Sequence, residues 1–470
     1  MMMAPLILWF RRDLRLADQP MLAAAAATGR PLLPVFILDP ETEAIGAAAR
    51  WRLDLAVRAF STELARLGAA MVFRRGPALA VLQGLVAETA AGGVWWSRLY
   101  DPASVARDTG VKAALKAAGI EARSFAGHLL HEPWQVQTGQ GGPYRVFTPF
   151  WTTIRRRDVA EPVAAPVRLR GIGGLPPSDR PEAWRMGAAM RRGASVVLPH
   201  QTVGEAAAGR RLADFMGGPV SDYAGGRDVP ARAVTSGLSE NLAYGEIGPR
   251  QIWQAGMRAR DAGAAGAETF LKEMGWREFS YHLLHHFPAM ARDSWRDGWQ
   301  DFPWRGDSPE AERWRRGMTG EPLVDAGMRE MYVTGRMHNR VRMVVASYLT
   351  KHLLTHWRIG LDWFADCLTD WDPAANAMGW QWVAGCGPDA APWFRIFNPA
   401  GQAARFDPDG LYRRRWLAEL SPRPGAEARS FFDAVPRDWG LDPAAPYPAP
   451  MMALDEGRRR ALAAWQRREG

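Results

Sequence analysis

The chain has 470 residues, 47% of them apolar, with 59 Lys and Arg against 50 Asp and Glu, for a formal charge of +9. That length supports two or three domains with full cores, and no apolar run reaches the roughly 18 residues that a membrane span needs. Only Lys112, Lys116, Lys272 and Lys351 are lysines, so the positive charge is nearly all arginine, whose planar fork suits a polyphosphate partner.

The start, MMMAPLILWFRRD, lacks a basic leader, and Arg11 and Arg12 cut its apolar run short, so residues 5–10 read as a first strand and not as a signal peptide. A helix over Gln19 to Thr28, a strand at 32–38 and a long helix from Ala48 to Leu67 follow. AMVFRR, GVWWSR and EARSFA then read as strands, with helices from Ala78 and Ser104 between them. This alternation predicts an α/β domain over 1–130 with a doubly wound, Rossmann-like parallel sheet. No GxGxxG follows the first strand, which argues against a dinucleotide site there. Such a fold still has a topological switch point where a ligand can dock.

Residues 131–199 change character: TGQGGP, EPVAAP and GGLPPSDRP are rich in Gly and Pro and carry no sustained period, as in a long connector. YRVFTPFW (144–151) interrupts it with an aromatic cluster that reads as its anchor. From His200 to the end the pattern is helical and rich in tryptophan, predicting a large all-α domain over 200–470. Cys367 and Cys386, the only cysteines, form no CxxC pair and no disulfide framework, which points to a reducing cytosol.

Several stretches of the helical part carry chemistry. TSGLSENLAYGEIG, from Thr235, places hydroxyls and backbone N–H groups at a helix start, which suits either an anion or a plain N-cap. Glu273, Trp276 and Arg277 share a helix face, where an acid and an indole can hydrogen-bond and stack on a base. His282, His285 and His286 come without an HExxH pattern or a cysteine partner, so no metal site is expected. TGRMHNRVRM places His338, Asn339, Arg340, Arg342 and Met343 on a helix start, and Arg342 can pair with Asp370. In LTDWDPAANAMGWQW, Asp370, Asp372 and Asn376 precede Trp380 and Trp382. Two residues apart on a helix, these indoles point about 200° apart, so that one can face a buried partner and the other a cavity.

Taken in order, WFRRDLRL, YRVFTPFW, TSGLS, WREF, MHNRVRM, WDPAAN, GWQW, DAAPWFRIFNP and FDPDG resemble the photolyase/cryptochrome family over nearly the whole chain. The likeness is greatest to the bacterial class I photolyases of cyclobutane pyrimidine dimers. The resemblance implies an antenna domain, a connector and a helical domain that holds a folded FAD and binds DNA carrying UV-induced pyrimidine dimers. It implies cofactor contacts from Tyr223, Arg227, Thr235, Ser236, Leu238, Ser239, Arg277, Asn339, Arg342, Asp370, Asp372 and Asn376. It also implies a lesion pocket of Glu273, Trp276, Asn339, Arg340, Met343 and Trp382, and an electron-transfer chain of Trp380, Trp357 and Trp304. Arg336, where the family often has Trp, joins Trp276, Arg340 and Trp382 as an expected DNA contact.

Gly237 stands where some members have a basic residue, Glu240 replaces a common proline, and Trp393 replaces a usual tyrosine. A second chromophore (folate, deazaflavin or flavin) is the family's option in the first domain, where Arg50, Trp51, Arg98, Leu99, Tyr100 and Asp101 lie. The implied activity is light-driven dimer splitting by a cytoplasmic monomer. The alternatives are a cryptochrome-like blue-light sensor and a (6-4) photolyase.

Overall fold

The computed structural model describes residues 3–389, 392–393 and 395–469, so Ala390, Ala391 and Phe394 of the DAAPWFRIFNP motif lie outside the described residues. The predicted alternation becomes strands β1 (Leu6–Phe10), β2 (Leu32–Leu38), β3 (Val72–Arg75), β4 (Gly93–Ser97) and β5 (Glu121–Phe125). Between them run helices α1 (Pro20–Ala27), α2 (Ala47–Arg66), α3 (Ala78–Thr89) and α4 (Pro102–Ala117). All five strands pair in parallel in the order β3-β2-β1-β4-β5. Helices cover both faces of such a sheet, which is why β1 and β2 are buried along their whole length. The period of two divides β1 between two cores: Leu6, Leu8 and Phe10 in one, Ile7 and Trp9 in the other. Strand order reverses between β1 and β4, so Arg11 and Arg98 leave the sheet at the switch point.

The Gly/Pro-rich stretch contains α5 (Phe147–Ile154), the five-residue helix Gly193–Val197 and short 3-10 turns. Later come α6 (Pro249–Asp261), α7 (Ala267–His286), α8 (Pro322–Thr334), α9 (Asn339–Ser347), α10 (Trp357–Cys367), α11 (Pro373–Ala384) and α12 (Leu454–Glu469), and no strand occurs after residue 200 among the described residues. No helix among them is long and apolar enough to cross a membrane.

The chain forms two compact units. The first is Met1–Ala188, Thr202–Ala224 and Ser236–Pro288, and the second is Ala189–Gln201, Gly225–Thr235 and Ala289–Gly470. In the first unit a buried ion pair ties the sheet region to the turn after residue 235. Arg52 and Glu246 are both fully buried and meet at 2.6 Å. Glu246 also accepts from the Gly204 N–H at 2.9 Å and from Asn241 at 2.7 Å. The expected aromatic anchor is present in the same unit, where Phe147, Phe150 and Phe279 are buried and in ring contact. In the second unit one core gathers Trp299, Trp314, Trp357, Trp380 and Trp393 with the apolar faces of α8, α9, α10 and α11.

Glu278 of α7 fastens the connector within the first unit. Its carboxylate accepts from the Leu130 and His131 N–H groups at 2.9 and 3.2 Å, with Arg277 at 3.5 Å. Burial is the largest influence and raises its pKa to about 7, against the pull of Arg277 and the two amides. A carboxyl raised in the fold above its unfolded value gives stability that is complete below the unfolded value and lost as pH climbs through the folded one. Glu278→Gln keeps an acceptor and removes this loss. Urea denaturation across pH 4 to 8 should show wild type and variant converging at low pH and the variant ahead above pH 7 by roughly 3 kcal/mol. A constant difference across that range refutes the assignment.

Candidate functional site

In the second unit the segment from Asp370 to Trp382 is built around α11. Asp372 caps the helix, its Oδ1 accepting from the Ala374 and Ala375 N–H groups at 3.0 and 2.9 Å, and Pro373 occupies the first turn. Asn376 donates from Nδ2 to the Leu361 carbonyl at 3.0 Å, joining α11 to α10. Trp380 is 3% exposed and packs edge-on against Phe364 at 4.9 Å, whereas Trp382 is half-buried at the rim of the same core. The two indoles therefore divide into an inward and an outward ring, as the 200° offset predicts.

Trp380 lies on Gly360. A Cβ at Gly360 would sit 2.0 to 2.6 Å from three atoms of the Trp380 ring, so only glycine lets α10 and α11 approach at this point. Trp357 of α10 is fully buried, and His356 just before it touches both Trp357 and the half-buried Trp304, with ring centroids 5.7 and 5.6 Å away. The three tryptophans of the expected electron chain thus belong to one packed unit.

The start of α9 carries several polar groups of this unit. Arg342 holds both oxygens of Asp370 through Nη2, at 2.9 and 2.8 Å, and donates from Nε to the Met337 carbonyl at 2.8 Å. This is the pair expected from the sequence. Arg340 meets Asp228 at 2.6 Å and lies over Phe406, Arg336 donates to the His200 carbonyl at 3.3 Å, Asn339 is exposed and Met343 flanks the core.

His338 caps α9 by accepting the Arg340 N–H on Nδ1 at 3.2 Å, so the ring proton sits on Nε2. That Nε2 is buried and without a protein partner, as is Nε of Arg340. Burial and the guanidiniums of Arg342, Arg340 and Arg227 push the His338 pKa down to about 4, against the pull of Asp228. Orphaned donors beside several guanidiniums call for an acceptor-rich, anionic ligand.

In the first unit Tyr223 is buried edge-on against Phe215 and Phe270 at 5.7 Å each. The TSGLS turn passes Gly237, at φ +61°, and opens the short helix Ser239–Ala243. Ser236 accepts the Leu238 N–H at 3.4 Å, and Arg211 holds the Gly237 carbonyl at 2.7 Å. Leu238 is buried and Ser239 exposed; Thr235 and Arg227, counted with the second unit, are exposed and half-buried. On α7, Glu273 and Trp276 are half-buried, and Trp276 is stacked flat on Phe147, with centroids 3.5 Å apart and planes 7° apart. Arg277 turns the other way and grips His128 through its carbonyl at 2.9 Å and its ring at 3.1 Å.

At the switch point the side chains expected near a second chromophore have protein partners. Arg98 pairs with Glu132 at 3.1 Å, Tyr100 donates to Glu132 at 2.9 Å, Asp101 caps α4, Leu99 is buried, Arg50 donates to the Met186 carbonyl at 3.2 Å, and Trp51 lies under Gly187.

Taken unit by unit, the residues fit FAD. The first unit offers hydroxyls and a glycine turn over an arginine, and the second offers orphaned donors, a carboxylate-locked arginine and a polar helix cap. Sequence reasoning missed four contributors: Phe147 as the backing of Trp276, Gly360 under Trp380, Arg211 under the turn, and His338 as a cap with a spare donor. Only the aromatic cluster at 144–151 and the MHNR run signalled any of them.

Comparison with known proteins agrees. Residues 6–167 match a family model described as DNA photolyase, and residues 270–467 match one described as the FAD binding domain of DNA photolyase. The chain is 44% identical to a deoxyribodipyrimidine photo-lyase of Agrobacterium fabrum over 98% of both chains. It is similar to the crystal structure of a bacterial class III photolyase from Agrobacterium tumefaciens (TM-score 0.92, 42% identity, covering 100% of this chain and 98% of that one). A cryptochrome of Synechocystis is also similar (TM-score 0.85, 28% identity, covering 99% and 100%).

The Gly360–Trp380 contact gives a direct test of the packing. Gly360→Ala gains about 1 kcal/mol of helix propensity but drives a methyl into the indole, and overpacking costs about 1–3 kcal/mol. Urea denaturation should show a net loss. Gly379→Ala on the exposed side of α11, where an added Cβ meets nothing within 4 Å, should be neutral or stabilising. Equal behaviour of the two variants contradicts the contact.

Proposed function

Because the chain belongs to the photolyase/cryptochrome family, we propose that it is a DNA photolyase that splits cyclobutane pyrimidine dimers with light and FAD. The observation that carries the finer reading is Trp276, a half-buried indole backed at 3.5 Å by Phe147 and one helical turn from Glu273. Such a platform suits an unpaired base. The 42% identity to a class III enzyme supports a place beside class III, in preference to the class I likeness of the motifs.

On this reading residues 1–130 form the antenna domain, 131–199 the connector and 200–470 the part that binds FAD and DNA. Tyr223, Arg227, Thr235, Ser236, Leu238 and Ser239 serve the cofactor phosphates, and Arg277, Asn339, Arg342, Asp370, Asp372 and Asn376 serve the rest of it. The locked Arg342–Asp370 pair offers a fixed cationic edge that needs no reorganisation when charge moves nearby. When bound and reduced, FAD supplies the light-excited electron that opens the dimer ring.

The chain's own residues do the rest. A dimer inside a duplex is out of reach, so it must be flipped out at a cost of a few kcal/mol, least for a poorly stacked, damaged step. Arg336 and Arg340 offset part of this cost at the phosphates. Trp276 and Trp382 replace the lost stacking, at about 1–3 kcal/mol per base. Asn339 and Met343 line the lesion's place, and Glu273 hydrogen-bonds the dimer while it carries the extra electron. Trp380, Trp357 and Trp304 pass electrons inward to recharge the cofactor.

An oligonucleotide with one defined thymine dimer, incubated under blue light and in the dark, tests the reading. Intact thymines should return only in light. Glu273→Ala should slow repair about 10–100-fold, the loss of 1.4–2.7 kcal/mol of transition-state stabilisation. Normal FAD content with no repair would replace this reading with that of a light sensor, as the likeness to a cryptochrome suggests.

A further inference from the structure

Trp304, the last member of the proposed electron chain, is half-buried and packs against further tryptophans. Its ring stacks on Trp299 at 6.0 Å and meets Trp393 edge-on at 5.9 Å. Trp393 in turn touches Trp299 at 5.3 Å and stacks on Trp465 at 6.0 Å with planes 13° apart, and Trp299 reaches Trp465 at 5.8 Å. Phe302 fills the centre, 4.6 Å from Trp304 and 4.7 Å from Trp393. Trp299 and Trp393 are buried at 1% and 3% exposure, while Trp465, on α12, is half-buried with exposed neighbours. Trp393 is also the residue that departs from the family's usual tyrosine.

We propose that Trp304, Trp299, Trp393 and Trp465 act as one pool for the oxidising equivalent that reaches Trp304, with Trp465 as its exit to solvent. The inference rests on the chain Trp380–Trp357–Trp304 and extends it. With photoexcited FAD as the oxidant, Trp304 loses one electron inward. One electron then moves from Trp393 or Trp299 to Trp304, and one from Trp465 to the vacancy. Trp304 and the bridging ring return to neutral indoles, Trp465 is oxidised, and no bond forms or breaks. A thiol reductant in solution returns the electron to Trp465.

Four like side chains in contact offer nearly equal sites, so Trp304 holds about a quarter of the population and the return path inward slows in proportion. Lys351 lies on the pool, with Nζ 3.4 Å from the Trp393 ring centre and donating to the Ala384 carbonyl at 3.0 Å, and the His356 ring lies 5.6 Å from Trp304. Burial pushes the Lys351 pKa well below the ordinary lysine range, which favours the neutral amine and removes a charge that would oppose oxidation of Trp393.

The FAD-loaded protein is illuminated in air without thiol, and oxidised tryptophan is mapped by peptide mass spectrometry. Transient absorption follows the decay of the tryptophan radical. Oxidation should concentrate at Trp465, move back into the buried rings in Trp465→Phe, and vanish in Trp380→Phe. In Trp393→Phe/Trp465→Phe the pool halves, and the radical should decay about twofold faster. Trp465→Phe alone, at a half-buried position, keeps the test open if the double variant folds poorly. If Trp380→Phe abolishes oxidation but wild type is oxidised only at Trp304, the chain stands and the pool is overturned. If Trp380→Phe leaves the signal unchanged, the underlying chain fails and the pool with it.

Discussion

The buried pair of Arg52 and Glu246 is the constraint on which the first unit depends. Both side chains are fully buried, and one carboxylate serves Arg52, Asn241 and the Gly204 amide together. Removing one partner of such a pair typically costs about 3–5 kcal/mol, because the other charge stays buried and unpaired, whereas a whole pair adds little net stability. Its effect is geometric. Asn241 also donates to the Thr202 carbonyl, and its oxygen meets Arg211, which holds Gly237. A chain of charged and amide groups thus runs from α2 of the sheet region to the turn proposed to meet the cofactor phosphates. That turn's donors are therefore fixed before any ligand arrives, and preorganised donors lose little entropy on binding.

The second unit solves a different problem with different materials. Its core is aromatic, with the indole nitrogens of Trp304, Trp357 and Trp380 without a protein hydrogen-bond partner. Each unsatisfied N–H costs something, and the indole nitrogens of Trp9, Trp363 and Trp416 are in the same position. Leucine would fill the same space without a polar atom to bury. The start of α9 adds polar groups of its own, the Arg342–Asp370 pair and the His338 cap.

The α/β region was legible almost residue by residue, because a parallel sheet covered on both faces writes continuous apolar runs such as LLPVFIL, and those runs end at Gly, Pro and capping residues. The Trp380/Trp382 division and the Arg342–Asp370 pair were legible as well, the first from helical geometry and the second from complementary charge. Arg52 and Glu246 were not. They lie 194 residues apart, and nothing local in ARWRL or AYGEIG marks either as buried. Gly360 was equally silent: a lone glycine in a helical run signals a weak point, and only the ring across from it turns that weakness into a requirement. Arg277, a cofactor contact implied by the resemblance, spends part of its guanidinium on His128, which its position beside Trp276 did not signal. Spacing fixes where a side chain begins, and a long one can end elsewhere.

The departures from the family pattern sort themselves by the partners they find. Gly237 stands where some members of the family carry a basic residue. The backbone there sits at φ +61°, which glycine adopts freely, and Arg211 brings its guanidinium to the underside of the same turn, with side-chain atoms 3.6 and 3.7 Å from where a Cβ would stand. That guanidinium comes from helix Glu205–Met216 and shares its charge with the buried Glu240 carboxylate at 3.9 Å. Arg336 behaves in the opposite way. In place of a tryptophan it hydrogen-bonds the His200 carbonyl, and its own N–H is held by Thr334, so part of its donor capacity is spent inside the second unit. A guanidinium has five donors, and one carbonyl leaves most of them for phosphate. The substitution therefore exchanges a stacking surface for a charge.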